Sequence, residues 1–186
     1  GLQRFPLPPD PNHQARNLAT TLDRLAQHLA KLDPAEGLAA NPPDPKSALA
    51  AAERDADGLW RRMIALQEEL DWCCYRLYGL TDEDLCDPAE PPEVALGERP
   101  FEIHLARRIA AGEQQTTWFE RHRSQPITEP PEHWPADYLD LTRRRLQAIA
   151  DNRWIRLVEQ PEYKRRWNRE PWAKRQQRAL RDWLLD

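Results

Sequence analysis

Residues 68–85 read EELDWCCYRLYGLTDEDL, and this stretch decides the fold. Leu70, Cys73 or Cys74, Leu77 and Leu80 recur at three- and four-residue steps, which lines one face of a helix. Gly79 follows the last turn, where a left-handed residue would close it. Thr81 then begins Thr-Asp-Glu-Asp, a helix-start pattern with acids in the first turn. The stretch predicts the end of a long helix, a sharp corner, and the start of a new short helix.

Upstream, Asp44-Pro45 opens that long helix as an N-cap and first-turn pair. Leu49, Ala52, Ala56, Leu59, Met63, Leu66, Leu70, Cys73 and Leu77 then form a near-heptad seam. Its length is about 35 residues, or roughly 50 Å. Before it, Leu18, Leu22, Leu25, Leu29 and Leu32 alternate steps of four and three, a second seam. Asp10-Pro11 starts this first helix, Asp33-Pro34 stops it, and residues 33–44 read as a loop. Residues 1–13 are proline-rich and predict an extended leader, and residues 14–80 an antiparallel coiled-coil hairpin. The longer helix overshoots its partner, so Trp72 and Tyr75 must bury against the C-terminal part.

Downstream, residues 81–98 form an acidic, proline-rich linker: Asp82, Glu83, Asp84, Asp87, Glu90, Glu93 and Glu98 stand there with no Lys or Arg before Arg99. Residues 99–186 predict a small bundle of short helices. Phe101, Leu105 and Ile109 mark one that ends at Gly112, and Trp118-Phe119 a short element. Residues 124–135 are an irregular connection. Pro135 starts a helix carrying Tyr138, Leu139, Leu141, Leu146 and Ile149, with Asp151 or Asn152 recapping the chain before Trp154, Leu157 and Val158. Pro161 begins a further turn or two with Tyr163 and Trp167. Pro171 opens a last helix with Trp172, Leu180, Trp183 and Leu184 on one stripe.

Composition agrees with an all-α fold. Of 186 residues 31% are charged, and eighteen are proline but only six glycine. Valine is rare, which argues against an extensive sheet. The three cysteines form no C-x-x-C pair, and no apolar run reaches the roughly 18–20 residues that cross a bilayer. A reducing, cytoplasmic setting without membrane contact follows. The start at Gly1 rather than Met predicts a piece of a longer polypeptide.

Chemistry-bearing motifs are scarce. Asn41-Pro42-Pro43-Asp44 resembles the tetrapeptide with which adenine N6-methyltransferases grip a flipped base, but Asp44 stands where an aromatic ring should stack. It reads as a turn. No glycine-rich strand-to-helix turn offers a cofactor site. His13, His28, His104, His122 and His133 show no metal spacing, although His122 and His133 could meet Cys86 in space. Cys73 and Cys74 read as core fillers. No catalytic, cofactor-binding or metal-binding residue is assigned.

The formal net charge of −4 hides an asymmetry. From Arg143 onward, thirteen Lys and Arg face six Asp and Glu, with Tyr163, Trp167 and Trp172 interleaved. Arg143, Arg144, Lys164, Arg165, Arg166, Arg169, Lys174, Arg175 and Arg178 are the candidates for holding DNA phosphates. The competing reading is a solvated helical face that pairs with the acidic 82–98 stretch of the same chain.

Four ordered segments also carry a resemblance: LQEELDWCCYRLYGLTDEDL, FEIHLARRIAAGEQQTTWFERHRSQPITEPPEHWP, IRLVEQPEYKRRWNREPW and QQRALRDWLLD. Together they resemble the C-terminal region of the PglX family, adenine-specific DNA methyltransferases of type-2 BREX phage-defence systems. The resemblance covers most of residues 59–186. It implies a parent enzyme that uses S-adenosylmethionine to methylate adenine at N6, with the reactive motifs elsewhere. This segment would then be a spacer that holds DNA or docks other BREX proteins. The alternative is a pure interaction scaffold, in which the coiled-coil arm binds a partner protein or a second copy and touches no DNA.

Overall fold

The computed structural model describes residues 13–87 and 90–185, and among them every regular element is a helix. The leader, with its Asp10-Pro11 start signal, lies outside the described residues apart from His13.

Helix α1 spans His13–Lys31. The Asp-Pro pair that ends it also starts the next element. Asp33 Oδ1 accepts from the Ala35 amide at 2.9 Å, and Pro34 opens α2, Pro34–Ala39. The expected 33–44 loop therefore contains a six-residue helix. Pairs of this kind both stop and start helices, because the aspartate satisfies an amide that the proline-led first turn leaves free. Asp44 does the same at 3.3 Å to the Ser47 amide and opens α3, Pro45–Leu77. Asn41 is exposed, at φ +48°, in the turn between α2 and α3.

The corner closes as the Gly79 reading requires. Gly79 adopts φ +68° and donates to Arg76 O at 3.0 Å, while Leu80 N–H reaches Tyr75 O at 2.9 Å. These two bonds complete a Schellman turn. Beyond it the expected short helix is absent. Thr81 Oγ1 accepts from the Glu83 amide and Asp84 Oδ1 from the Cys86 amide, and such side-chain turns compete with helical bonding.

Among the described residues five helices follow: α4 Pro100–Ala110, α5 Trp118–His122, α6 Ala136–Asp151, α7 Arg153–Val158 and α8 Trp172–Leu185. Asn152 takes the recapping role, accepting from the Trp154 and Ile155 amides. Between α7 and α8 only one turn forms, closed by Tyr163 N–H on Gln160 O. Residues 165–171 then run as a non-helical strap. Arg99 Nη1 donates to Arg165 O at 3.0 Å, so that carbonyl serves a tertiary bond rather than a helical one.

The main core joins elements from both ends of the chain. Leu22 and Leu25 of α1, Met63 to Leu66, Trp72 and Cys73 of α3, Tyr138, Leu141 and Ile149 of α6, Ile155 of α7, Trp134 and Trp167 form one buried cluster. Here α3 is buried all round, as expected of a helix that neighbours enclose. Smaller clusters join α4 to α5 through Phe101, Leu105 and Trp118, and α8 to the α2–α3 corner through Ala179, Leu38 and Leu49. The expected α8 stripe is only partly buried. Trp172 is covered and Leu180 is partly buried beside Leu38 and Leu49, but Trp183 and Leu184 are exposed, Leu184 at 73%.

Candidate nucleic-acid interface

The charged residues of the C-terminal half divide by what their side chains meet. One group is buried in the interior, where an ionised group needs a partner. Arg145 Nη2 donates to Glu69 Oε2 at 2.6 Å, and its Nε reaches Leu85 O at 2.9 Å. Tyr138 Oη donates to Glu69 Oε1, and the Asp87 amide donates to Oε2 at 2.6 Å. Nearby, Lys164 Nζ lies 2.7 Å from Asp71, 2.8 Å from Glu159 and 3.4 Å from Glu68. Burial alone would depress the Lys164 ammonium, but Asp71, Glu159 and Glu68 outweigh it and hold the pKa well above its usual value. Three carboxylates around one ammonium leave negative charge in excess. Burial, against the pull of Lys164 and reinforced by Glu159 and Asp71, pushes the Glu68 carboxyl up to about 7.

A third buried pair anchors α4. Arg99 Nε and Nη2 bind Glu102 at 2.8 and 2.9 Å, and Glu102 also accepts from Trp118 Nε1 and the Gly97 amide. Burial would raise the Glu102 pKa, but the Arg99 guanidinium outweighs it and holds the carboxyl below the ordinary range. Gly97 has φ +98°, and a Cβ there would meet Gln125 O at 2.4 Å, so this close approach needs glycine.

The nine candidate cations fall in several places. Lys164 is interior, surrounded by carboxylates and out of reach of an external phosphate. Arg143 pairs with Asp140 at 2.7 Å, Arg144 with Glu83 at 2.7 Å, Arg175 with Asp33 at 2.7 Å and Arg178 with Glu170 at 3.0 Å. Of these only Arg144 meets the acidic stretch that the competing reading proposed, while two other acids there, Asp84 and Glu90, take Arg76 and Arg62. Arg165 lies over the Trp167 ring, with Nη1 near Gln67 Oε1 at 3.4 Å. Arg169 covers Trp60 and pairs with Asp57. Arg166 and Lys174 are exposed and make no side-chain hydrogen bond or ion pair among the described residues.

What the sequence reading missed is a cleft of about 410 Å³ between α3, α5 and the strap. Arg61, Arg121, Arg123 and Arg169 line it with Asp57, Trp60, His122, Trp167 and Asn168. A hollow of about 220 Å³ shares Arg121, His122 and Asn168 and adds Arg166. His122 stacks on Trp118 with ring centroids 3.8 Å apart, and its Nδ1 lies 2.8 Å from Trp118 O. Cys86 lies by Cys73, Sγ to Sγ 2.7 Å, and not by His122 or His133 as the sequence allowed. Among the described residues no group of His, Cys, Asp and Glu could hold a metal ion, and no helix is long and apolar enough to cross a membrane.

A family described as a domain of unknown function, DUF7008, matches residues 63–186. The chain is also similar to the adenine-specific methyltransferase PglX of Streptomyces coelicolor. Identity is 50% across the whole chain, which spans 15% of that relative's length, at its C-terminal end. No solved structure matches.

Proposed function

The chain belongs to the DUF7008 family, and on that premise we propose that it is a non-catalytic helical module of a BREX-type adenine-specific DNA methyltransferase. It would hold the DNA backbone for a methyl-transfer site elsewhere in a longer polypeptide. The observation that carries this reading is the 50% identity, across the whole chain, with a protein named an adenine-specific methyltransferase. S-adenosylmethionine belongs, in this reading, to the part of that polypeptide that performs the chemistry, and the setting is cytoplasmic.

Within the module, α1 and α3 act as an antiparallel coiled-coil arm on a helical base formed by residues 99–186, with residues 81–98 linking the two. The hairpin part of this reading is supported by the contact of α1 with α3. The exposed cations of the strap and α5 supply the DNA contact. A second reading, docking of another BREX protein, is favoured by the apolar end of α8, where Leu184 and Leu185 stand in solvent. Self-association through the arm is a weaker option, because Leu22 and Leu25 already bury against the chain's own core.

Titration of a labelled duplex with this chain at rising salt tests the main reading. With about four phosphate contacts, affinity should fall on the order of a hundredfold between 50 and 200 mM salt. A chain that ignores duplex DNA at 50 mM salt would remove the DNA-holding role and leave the docking one.

A further inference from the structure

The cleft between α3, α5 and the strap differs from the basic hollow beside α4 and α6 in its unspent charge. In the hollow beside α4 and α6, Arg107 pairs with Glu129, Arg108 with Glu113 and Arg143 with Asp140. In the cleft, Arg61, Arg121 and Arg123 are exposed and make no side-chain hydrogen bond or ion pair among the described residues. The acid lining the cleft, Asp57, already serves Arg169. Burial, reinforced by Arg175, pushes the Arg169 guanidinium below its usual range. Arg123 also occupies the left-handed position after α5, at φ +53°, which glycine would fill with less strain.

Resting on the reading of the chain as a DNA-holding module, we propose that this cleft seats phosphates of the duplex backbone, gripped by Arg61, Arg121 and Arg123. The cleft's aromatic rings are committed elsewhere: Trp167 is buried, and the Arg169 guanidinium lies 5.0 Å from the Trp60 centroid. Base stacking is therefore not what the cleft offers. Its contacts go to phosphates, which fix position and orientation without reading sequence. Sequence selection is left to the rest of the longer polypeptide.

The test is fluorescence anisotropy of a labelled duplex with the full chain at 50 mM salt, with thermal melting as the folding control. Arg121→Glu with Arg123→Glu should weaken binding on the order of a hundredfold. Arg123→Gly should weaken it several-fold and lower the salt slope by about one while leaving the melting temperature equal or higher. That variant separates the proposal from a purely structural role, which predicts no loss when a strained position is relieved. Arg143→Glu with Lys174→Glu, basic residues outside the cleft, should change affinity only a few-fold. The proposal is overturned, and the module reading kept, if the wild type binds duplex and the cleft variants bind equally well. It is also overturned if inorganic pyrophosphate at low micromolar concentration displaces the duplex, which would make the cleft a site for a small free anion. Absence of duplex binding by the wild type would overturn both.

Discussion

Arg145 and Arg121 carry the same guanidinium and meet opposite surroundings. Arg145 is fully buried, with Glu69, Leu85 O and the Trp72 and Tyr138 rings around it. Arg121 stands exposed on the five-residue α5 at the lip of an open cleft, with no side-chain partner among the described residues. Folding has already used the charge of the first, which ties α6 to α3 and to Leu85 O beyond the Gly79 corner. The charge of the second contributes nothing comparable within the chain and remains available to an external anion. The DNA-holding proposal therefore rests on charge that folding leaves unspent, not on the density of Lys and Arg along the sequence.

The strongest way to break this contrast is Arg145→Met. Removing one partner of a buried pair strands the other, which typically costs about 3–5 kcal/mol. Glu69 would be left without its cation, holding only the Tyr138 hydroxyl and the Asp87 amide. For a chain of this size each kcal/mol moves the melting temperature by about 2–4 °C, so a fall of roughly 10 °C is expected at pH 7.5. A shift under about 3 °C would mean that the buried pair does not hold α6 to α3. Duplex affinity of the folded fraction should stay unchanged.

A smaller effect separates the interior charges from each other. Glu68 has an ordinary value of 4.5 and is pushed up to about 7 by burial. Between those values the folded chain keeps a proton that the unfolded chain releases. The folded state then binds more protons, so this group's contribution falls as pH rises from about 5 to 8. The span corresponds to about 3 kcal/mol. Glu68→Gln should flatten that slope, and at pH 8 should melt above the wild type. Glu102 and Asp33, held below their ordinary values, act with the opposite sign, and their contribution is lost only at lower pH. Equal pH slopes for the variant and the wild type would show that Glu68 is ionised throughout.

The run Arg143-Arg144-Arg145 shows how much of this was legible beforehand. The helix that holds it was readable from Pro135 and the spacing of Tyr138, Leu141, Leu146 and Ile149, since helical period and start signals are local properties. The Schellman corner at Gly79 was readable for the same reason. What the three arginines would meet was not. Arg143 pairs within its own helix, Arg144 with Glu83 and Arg145 with Glu69. The partners of the last two lie 61 and 76 residues away, one beyond the Gly79 corner and one in α3, so only tertiary packing selects between them. A weak sign existed: Arg145 shares the helix face of Tyr138, Leu141, Leu146 and Ile149, so it had to be buried with that stripe. The cleft was invisible for a like reason, because Arg61 comes from α3, Arg121 and Arg123 from the region of α5, and Arg169 from the strap. Only the exposure of Arg61, Arg121 and Arg123 and their lack of side-chain partners among the described residues mark it, and neither is a property of composition.

Arg144 lies between the two extremes and gives the smallest and sharpest test. It follows the arginine that pairs locally and precedes the one that is buried, yet its guanidinium is half-exposed against Glu83 and Asp84 O. Solvent screens such a pair, and exposed pairs are worth at most about 1 kcal/mol. Arg144→Ala should therefore lower the melting temperature by no more than about 3 °C, several times less than loss of its neighbour. Because its donors are already engaged within the chain, duplex affinity at 50 mM salt should change no more than about twofold, the size of a long-range charge effect. A loss as large as that of the cleft variants would place the DNA contact on the α6 face. In that case an internally paired arginine would be binding the backbone after all, and the distinction between spent and unspent charge would fail at the residue where it is easiest to measure.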